Sequence, residues 1–178
     1  MITGLVLAAG AGRRFGGPKA EVVVDGQRLI DRAVSVLLGG GCDSVLAVVR
    51  SDSVVASGAR TVVNFAPDEG MGSSLRVGLS AVEDDAAVIV LVDQIGITAA
   101  DVAAVIAEFR TGAEVVVARR AGRRSHPVLV SRAWFDDFAV SAAGDQGARV
   151  FIDSRPEVVR FVDLPAPIRD IDTPADLP

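Results

Sequence analysis

Leu5-Val6-Leu7-Ala8-Ala9-Gly10-Ala11-Gly12-Arg13-Arg14-Phe15-Gly16-Gly17-Pro18-Lys19 joins an apolar run to a loop of glycines and cations. The run starts at Ile2. A stretch so short and so continuously apolar suits a strand buried on both faces. Glycines let backbone N–H groups approach and surround a phosphate chain. Arg13, Arg14 and Lys19 place positive charge where that chain would lie. The loop therefore reads as a phosphate-binding element at the end of a first strand.

Working outward, residues 28–38 carry Leu29, Ala33, Val36 and Leu37 at helical spacing and stop at Gly39-Gly40-Gly41. Residues 44–49 and 61–63 read as strands, 73–82 as a helix, and 86–92 as the most apolar strand in the chain. Thr98 is placed as the N-cap of another helix, with Asp101 three residues on in the position of a capping box. Residues 114–118 predict a strand, 126–130 a further one, and a helix follows through Trp134 and Phe138. Strands alternating with helices imply a single-domain three-layer α/β fold, Rossmann-like, with a mostly parallel mixed sheet over 1–178. The order of the strands does not follow from the pattern. In such sheets ligands lie at the carboxyl ends of the strands, which here means just after Leu7, Val63 and Val92.

The 178 residues suit one domain, half of them are hydrophobic, and the net charge is −5. That charge excludes a general nucleic-acid surface, which needs a basic field. No apolar run is long enough for a membrane span. The chain has one cysteine, Cys42, and its start lacks a basic leader, so the expected location is the cytoplasm. Of the 18 basic residues the only lysine is Lys19, inside the loop, where a compact charge suits a phosphate oxygen. Codon bias is the alternative account of that count.

Two familiar phosphate loops fit poorly. A Rossmann fingerprint needs glycine where Phe15 stands, and a helix where Gly16-Gly17-Pro18 interrupts. A Walker loop needs a hydroxyl after its lysine, and Ala20 follows Lys19. The string Leu7-Ala8-Ala9-Gly10-x-Gly12-x-Arg14-Phe15-Gly16-x-x-Lys19 instead resembles the opening loop of the molybdenum cofactor cytidylyltransferases and guanylyltransferases, the MobA-like NTP transferase family. The Ala-Ala-Gly form resembles the cytidylyltransferase branch. The resemblance implies that Arg14 and Lys19 stabilise the triphosphate, with Arg13 assisting.

Further motifs follow in order. Gly70-Met71-Gly72-Ser73-Ser74-Leu75 offers backbone donors and two hydroxyls before a helix, a place to read a base or ribose, although Ser73 as an ordinary N-cap would account for it too. It resembles the base-recognition loop of the cytidylyltransferases. Asp93 ends the most apolar strand, where a Mg²⁺ ligand belongs. Ile95-Gly96 stands where the family has a proline. Arg169-Asp170-Ile171-Asp172-Thr173-Pro174 resembles the closing motif that supplies a second metal carboxylate, with Asp172 preferred to Asp170. It also reads as a helix start, Thr173 as cap and Pro174 behind it. Ser125-His126-Pro127-Val128 and Gly144-Asp145-Gln146-Gly147 also match, with Ser125 departing from the family's glycine. Gln94, His126 and Asp145 are assigned to the acceptor side, residues 119–178 to the half that holds it, and a structural hydrogen bond is the leading account of His126. Pro18, Trp134, Cys42 and Met71 are assigned to turns or packing.

The resemblance implies a Mg²⁺-dependent nucleotidyltransferase. It would move CMP from CTP to the phosphate of molybdopterin, release pyrophosphate, and hand the product to a molybdoenzyme client. A guanylyl- or sugar-phosphate nucleotidyltransferase of the same fold, and a non-catalytic nucleotide or cofactor carrier, are the competing readings. An NAD-binding domain is disfavoured by Phe15 and Pro18.

Overall fold

Strand β1 (Ile2–Leu7) lies at the heart of the molecule, and a computed structural model describes residues 1–142, 149–165 and 167–178 around it. A hairpin of β2 (Val23–Val24) and β3 (Gln27–Arg28) follows the first loop. Its turn residues Asp25 and Gly26 both take positive φ, 51° and 78°, which an Asp-Gly pair tolerates. Then come α1 (Leu29–Gly39), β4 (Ser44–Val49), β5 (Arg60–Val63), α2 (Met71–Ser80), β6 (Ala86–Leu91), the short β7 (Gln94–Ile95) and α3 (Ala99–Arg110). A second hairpin, β8 (Val115–Arg120) and β9 (Arg123–Ser131), precedes α4 (Phe135–Ser141), α5 (Arg149–Ser154), β10 (Val159–Asp163) and β11 (Arg169–Asp170).

Seven strands form one sheet in the order β10-β8-β9-β6-β1-β4-β5. Only β9 runs against its neighbours β6 and β8; the other pairings are parallel. The mostly parallel mixed sheet expected from the alternation of elements is the one found. The continuous apolar character of β1 has a direct cause: it is flanked by β4 and β6, and both of its faces are covered. Ile2 and Val6 face α1 and α3, packing with Leu29, Val34, Leu37, Val102 and Ile106. Leu5 and Leu7 face α2, α4 and α5, packing with Leu75, Leu79, Phe138 and Phe151. Each such aliphatic side chain contributes about 1.5–3 kcal/mol by leaving water. At Gly4 a Cβ would lie 2.8 Å from Leu37 Cδ1, so α1 rides directly on the strand.

Several boundaries differ from the sequence reading. Helix α2 begins at Met71 rather than at residue 73, and Gly70, at φ 98°, holds the cap position. Ser73 is therefore inside the first turn. Strand β9 is longer than 126–130, because the β8–β9 hairpin extends it to Arg123. Trp134 closes a 3₁₀ turn, and α4 starts after it at Phe135. The capping box on α3 is complete: the Asp101 amide donates to Thr98 Oγ1 and the Thr98 amide to Asp101 Oδ2. Asp101 Oδ2 also accepts from buried Arg120 at 2.8 Å, which ties α3 to the end of β8. No helix among the described residues is long and apolar enough to cross a membrane.

Candidate active site

A cavity of about 450 Å³ opens at the carboxyl ends of β1 and β6. Strand β1 keeps its ladder one residue beyond its end, the Ala8 amide donating to Val48 O at 2.8 Å, and then leaves the sheet. The loop that follows folds around a single carbonyl. Gly12 O accepts from the amides of Phe15, Gly16 and Gly17 at 2.9, 2.9 and 3.1 Å. Gly12 itself has φ 59°, and a Cβ there would lie 1.9 Å from Gly17 O, so no larger residue fits. Beyond it, buried Ala20 takes the Ile30 amide on its carbonyl at 3.0 Å. This pins the chain at Lys19 and directs its side chain back toward the strand ends.

There Lys19 meets two carboxylates that are distant in sequence. Its Nζ donates to Asp93 Oδ2 at 2.8 Å and to Asp172 Oδ1 at 3.2 Å. Asp93 follows β6. Asp172 arrives because β11 pairs antiparallel with β7, and the Ile171 amide donates to the Asp93 carbonyl at 2.9 Å. Ile171 is fully buried and fixes the register. Asp172 therefore faces the cavity, whereas Asp170 is exposed within β11. Thr173 and Asp176 close a capping box just beyond, so the helix-start reading of this segment holds in the geometry. Burial works against the Lys19 ammonium, but hydrogen bonds and charge from Asp93 and Asp172 outweigh it and hold its pKa above the ordinary lysine value. Arg14 reaches Asp172 Oδ2 at 3.1 Å from an exposed position, and Arg13 approaches Asp68 at 3.6 Å.

Among the described residues the charges lining the cavity are three cations, Arg13, Arg14 and Lys19, and three carboxylates, Asp68, Asp93 and Asp172. They cancel. A triphosphate would bring a large excess of negative charge to this balanced set, which a companion cation would offset. Asp93 and Asp172 both reach one ammonium, which places two hard oxygen donors around a common point. No group of three metal-binding side chains exists among the described residues. Two carboxylates completed by water and phosphate oxygens are the set that Mg²⁺ accepts, so the residues fit that ion.

The predicted loop residues Leu7, Ala9, Gly10 and Gly12 line the cavity, and Ala8 supports them from the sheet. The serines of the second loop are divided. Ser74 lines the cavity; Ser73 does not. Both are buried and accept from Asn64 Nδ2, at 2.8 Å (Ser73) and 3.1 Å (Ser74), while Ser73 Oγ donates to Gly70 O. Gly72 also turns away from the ligand side: a Cβ there would lie 1.6 Å from Ala142 O, so it serves the contact with α4. Met71, assigned to packing from the sequence, lines the cavity with half-exposed apolar surface. Sequence reasoning missed Asn64 and Asp68. Asn64 was signalled by a polar residue closing the apolar strand Thr61-Val62-Val63, at one of the three strand ends singled out.

The residues assigned from the sequence to an acceptor do not converge on this cavity. Gln94 faces α1, beside Leu29 and Arg32, rather than the main cavity. His126 sits where β9 bulges: Val117 pairs with Val128 and Ala118 with Ser125, leaving His126 and Pro127 without partners in β8. Burial pushes the imidazole down to about 4, with the Asp93 charge opposing, so it is neutral near pH 7. Asp145 lies outside the described residues. Cys42 is buried and its thiol is pushed up to about 12, and Trp134 packs edge-on to Phe151, so packing accounts for both.

Comparison with known proteins gives this architecture a context. Over 176 residues the chain is 35% identical to nicotine blue oxidoreductase of Paenarthrobacter nicotinovorans, covering 91% of this chain and 86% of the relative. The fold superposes on the crystal structure of Rv0371c from Mycobacterium tuberculosis H37Rv with a TM-score of 0.84 and 28% identity, covering 98% and 94% of the two chains. A second structure of Rv0371c, in complex with manganese, superposes at 0.78 with 25% identity and coverage of 98% and 94%. The family of MobA-like NTP transferase domains matches residues 4–159, from the first strand to the start of β10. With the glycine loop, the bridging lysine and the paired carboxylates in place, the chain belongs to the MobA-like NTP transferase domain family, a family of nucleotidyltransferases.

Proposed function

We propose that this protein transfers CMP from CTP to the phosphate of a pterin-type acceptor and releases pyrophosphate. The observation that carries the reading is Lys19 Nζ held between Asp93 and Asp172 beneath the glycine loop. An oxygen of the acceptor phosphate attacks the α-phosphorus of the triphosphate; the bond from that phosphorus to the pyrophosphate oxygen breaks, and pyrophosphate leaves. The nucleophile is already an anion, so positioning and charge neutralisation carry the rate. Lys19 would exchange a carboxylate for an α-phosphate oxygen, and Arg14 would leave Asp172 for the departing pyrophosphate. Amides of the loop would hold the remaining phosphate oxygens. Mg²⁺ bound by Asp93 and Asp172 would supply charge neutralisation at the phosphates. The manganese complex of Rv0371c supports a divalent-cation site in this fold. The preference for CTP rests on Ala8-Ala9-Gly10 and on Gly70-Met71-Gly72-Ser73-Ser74, which resemble the cytidylyltransferase loops.

A second reading is favoured by the relative named as an oxidoreductase: hydride transfer from NADH or NADPH to an aromatic acceptor in the same cleft. Such chemistry has no use for a lysine poised between two carboxylates, which is why the transferase reading stands first. The two separate in one assay. Each of CTP, GTP, UTP and ATP is incubated with Mg²⁺ and a molybdopterin-containing cofactor extract and followed for pyrophosphate release, and in a parallel arm NADH or NADPH is incubated with an aromatic electron acceptor and followed for its oxidation. Pyrophosphate with CTP supports the proposal; NADH oxidation without pyrophosphate replaces it with the second reading.

A further inference from the structure

Arg50, the residue that follows β4, lines no part of the cavity, yet it joins two of its walls. Its Nε donates to Ala9 O at 3.2 Å, and its Nη2 donates to Asp68 Oδ1 at 2.9 Å. Ala9 begins the glycine loop and is buried; Asp68 belongs to the 3₁₀ turn Pro67–Glu69 that leads into the second loop. The Ala9–Gly10 peptide is trans. In a trans peptide the carbonyl oxygen and the following N–H point to opposite sides. A guanidinium holding Ala9 O from behind therefore turns the Gly10 N–H the other way. Gly10 is exposed, lines the cavity, and its amide donates to no acceptor among the described residues. A Cβ at Gly10 would meet nothing within 4 Å, so the Cα stands in open space at the cavity wall.

We infer that Arg50 is a positioning residue: by gripping Ala9 O and Asp68 it aims the Gly10 amide at a phosphate oxygen of the bound nucleotide. This rests on the reading of the loop as a triphosphate cradle. Arg50 lines no part of the cavity, and through Ala9 O its influence falls first on the amide that meets the phosphates. Arg13 approaches the same Asp68 carboxylate, but at 3.6 Å and from a far more exposed position, so it is free to move to phosphate while Arg50 stays.

The test is calorimetric titration of the full-length chain with CTP and, separately, with inorganic tripolyphosphate, both with Mg²⁺. Arg50→Met keeps the apolar stem and removes every donor. It is expected to weaken both ligands by the same factor, about tenfold. Arg50→Lys, which offers one ammonium in place of a fork, is expected to lie between Met and wild type. A thermal melt of each variant accompanies the titrations. Loss of CTP affinity with tripolyphosphate binding unchanged would assign Arg50 to the base side and overturn the inference. So would unchanged affinity for both ligands in a folded Arg50→Met protein. If wild type binds both but never releases pyrophosphate, the transferase reading falls and this inference survives.

Discussion

The half of the molecule that carries the glycine loop and the half from β8 to β11 are built by different means. In the first half, function is packed into short segments whose backbone geometry is forced. Gly12 sits at positive φ with Gly17 O where a side chain would be, three amides close on one carbonyl, and Lys19 is delivered to the strand ends by the anchored Ala20. In the second half, the one carboxylate among the described residues that reaches the cavity is Asp172, brought across the chain by a two-residue strand pairing and one backbone hydrogen bond. His126 and Gln94, though close in the pattern of motifs, lie outside the cavity wall. The glycine-loop end is thus preformed by local turns, and the Asp172 end is assembled by tertiary contacts. The first should tolerate little change at single positions; the second should respond according to who actually touches the site.

The comparison can be broken most directly at the ion cluster. Lys19→Ala and Asp93→Ala are each expected to lower turnover by well over tenfold, since loss of one preorganised contact to a developing charge costs about 3 kcal/mol. Circular dichroism should report a folded chain for both, and near-wild-type rates in the two variants would remove the mechanism. The next effect contrasts neighbours. Asp172→Asn is expected to lower pyrophosphate release about tenfold or more. Asp170→Asn, on an exposed edge, should stay within about twofold. Equal losses from both would mean that the segment matters only as structure.

How much of this was legible in the sequence follows the same division. The strand-loop-lysine segment could be read because its residue types answer to local stereochemistry: glycine where φ is positive, and an unbroken apolar run where both faces are covered. The seven-strand order could not be read, because the pairing of β1 with β4 and β6 depends on which helices cover which face. The split between Ser74, which lines the cavity, and Ser73, which does not, was illegible for a related reason. Hydroxyls near a helix start suit a ligand, but buried Asn64, which engages both of them, belongs to a different element. Asp172 was separable from Asp170 only once the β11–β7 register placed Ile171 in the core. Arg50 gave no signal at all, since its partners are a carbonyl and a carboxylate far along the chain.

A smaller effect sharpens the second half. Burial pushes the His126 imidazole down to about 4, below its value of 6.5 in the unfolded chain. The unfolded state therefore binds the proton first. Stability should be unaffected by this group above about pH 6.5 and should fall as pH drops from there toward 4, by roughly 1 kcal/mol per unit. Urea melts across that window should show the slope in wild type and a flatter line in His126→Gln. Identical slopes would place the imidazole in water. The smallest expected effect is at Thr98→Ala, which removes the hydroxyl of the α3 capping box: about 1 kcal/mol of stability by the same melts, with nucleotide affinity unchanged.

The chain's only lysine is also the residue on which the account turns, and that allows a direct test. Protein grown with carbon-13 at the lysine Cε carbon should give one lysine signal, which needs no assignment. If Lys19 exchanges the carboxylates of Asp93 and Asp172 for phosphate, that signal will shift when CTP and Mg²⁺ are added together, and it will not follow the same course in Asp93→Ala. A signal that stays in place at saturating nucleotide would contradict the claim that Lys19 and the two carboxylates form the metal–triphosphate site.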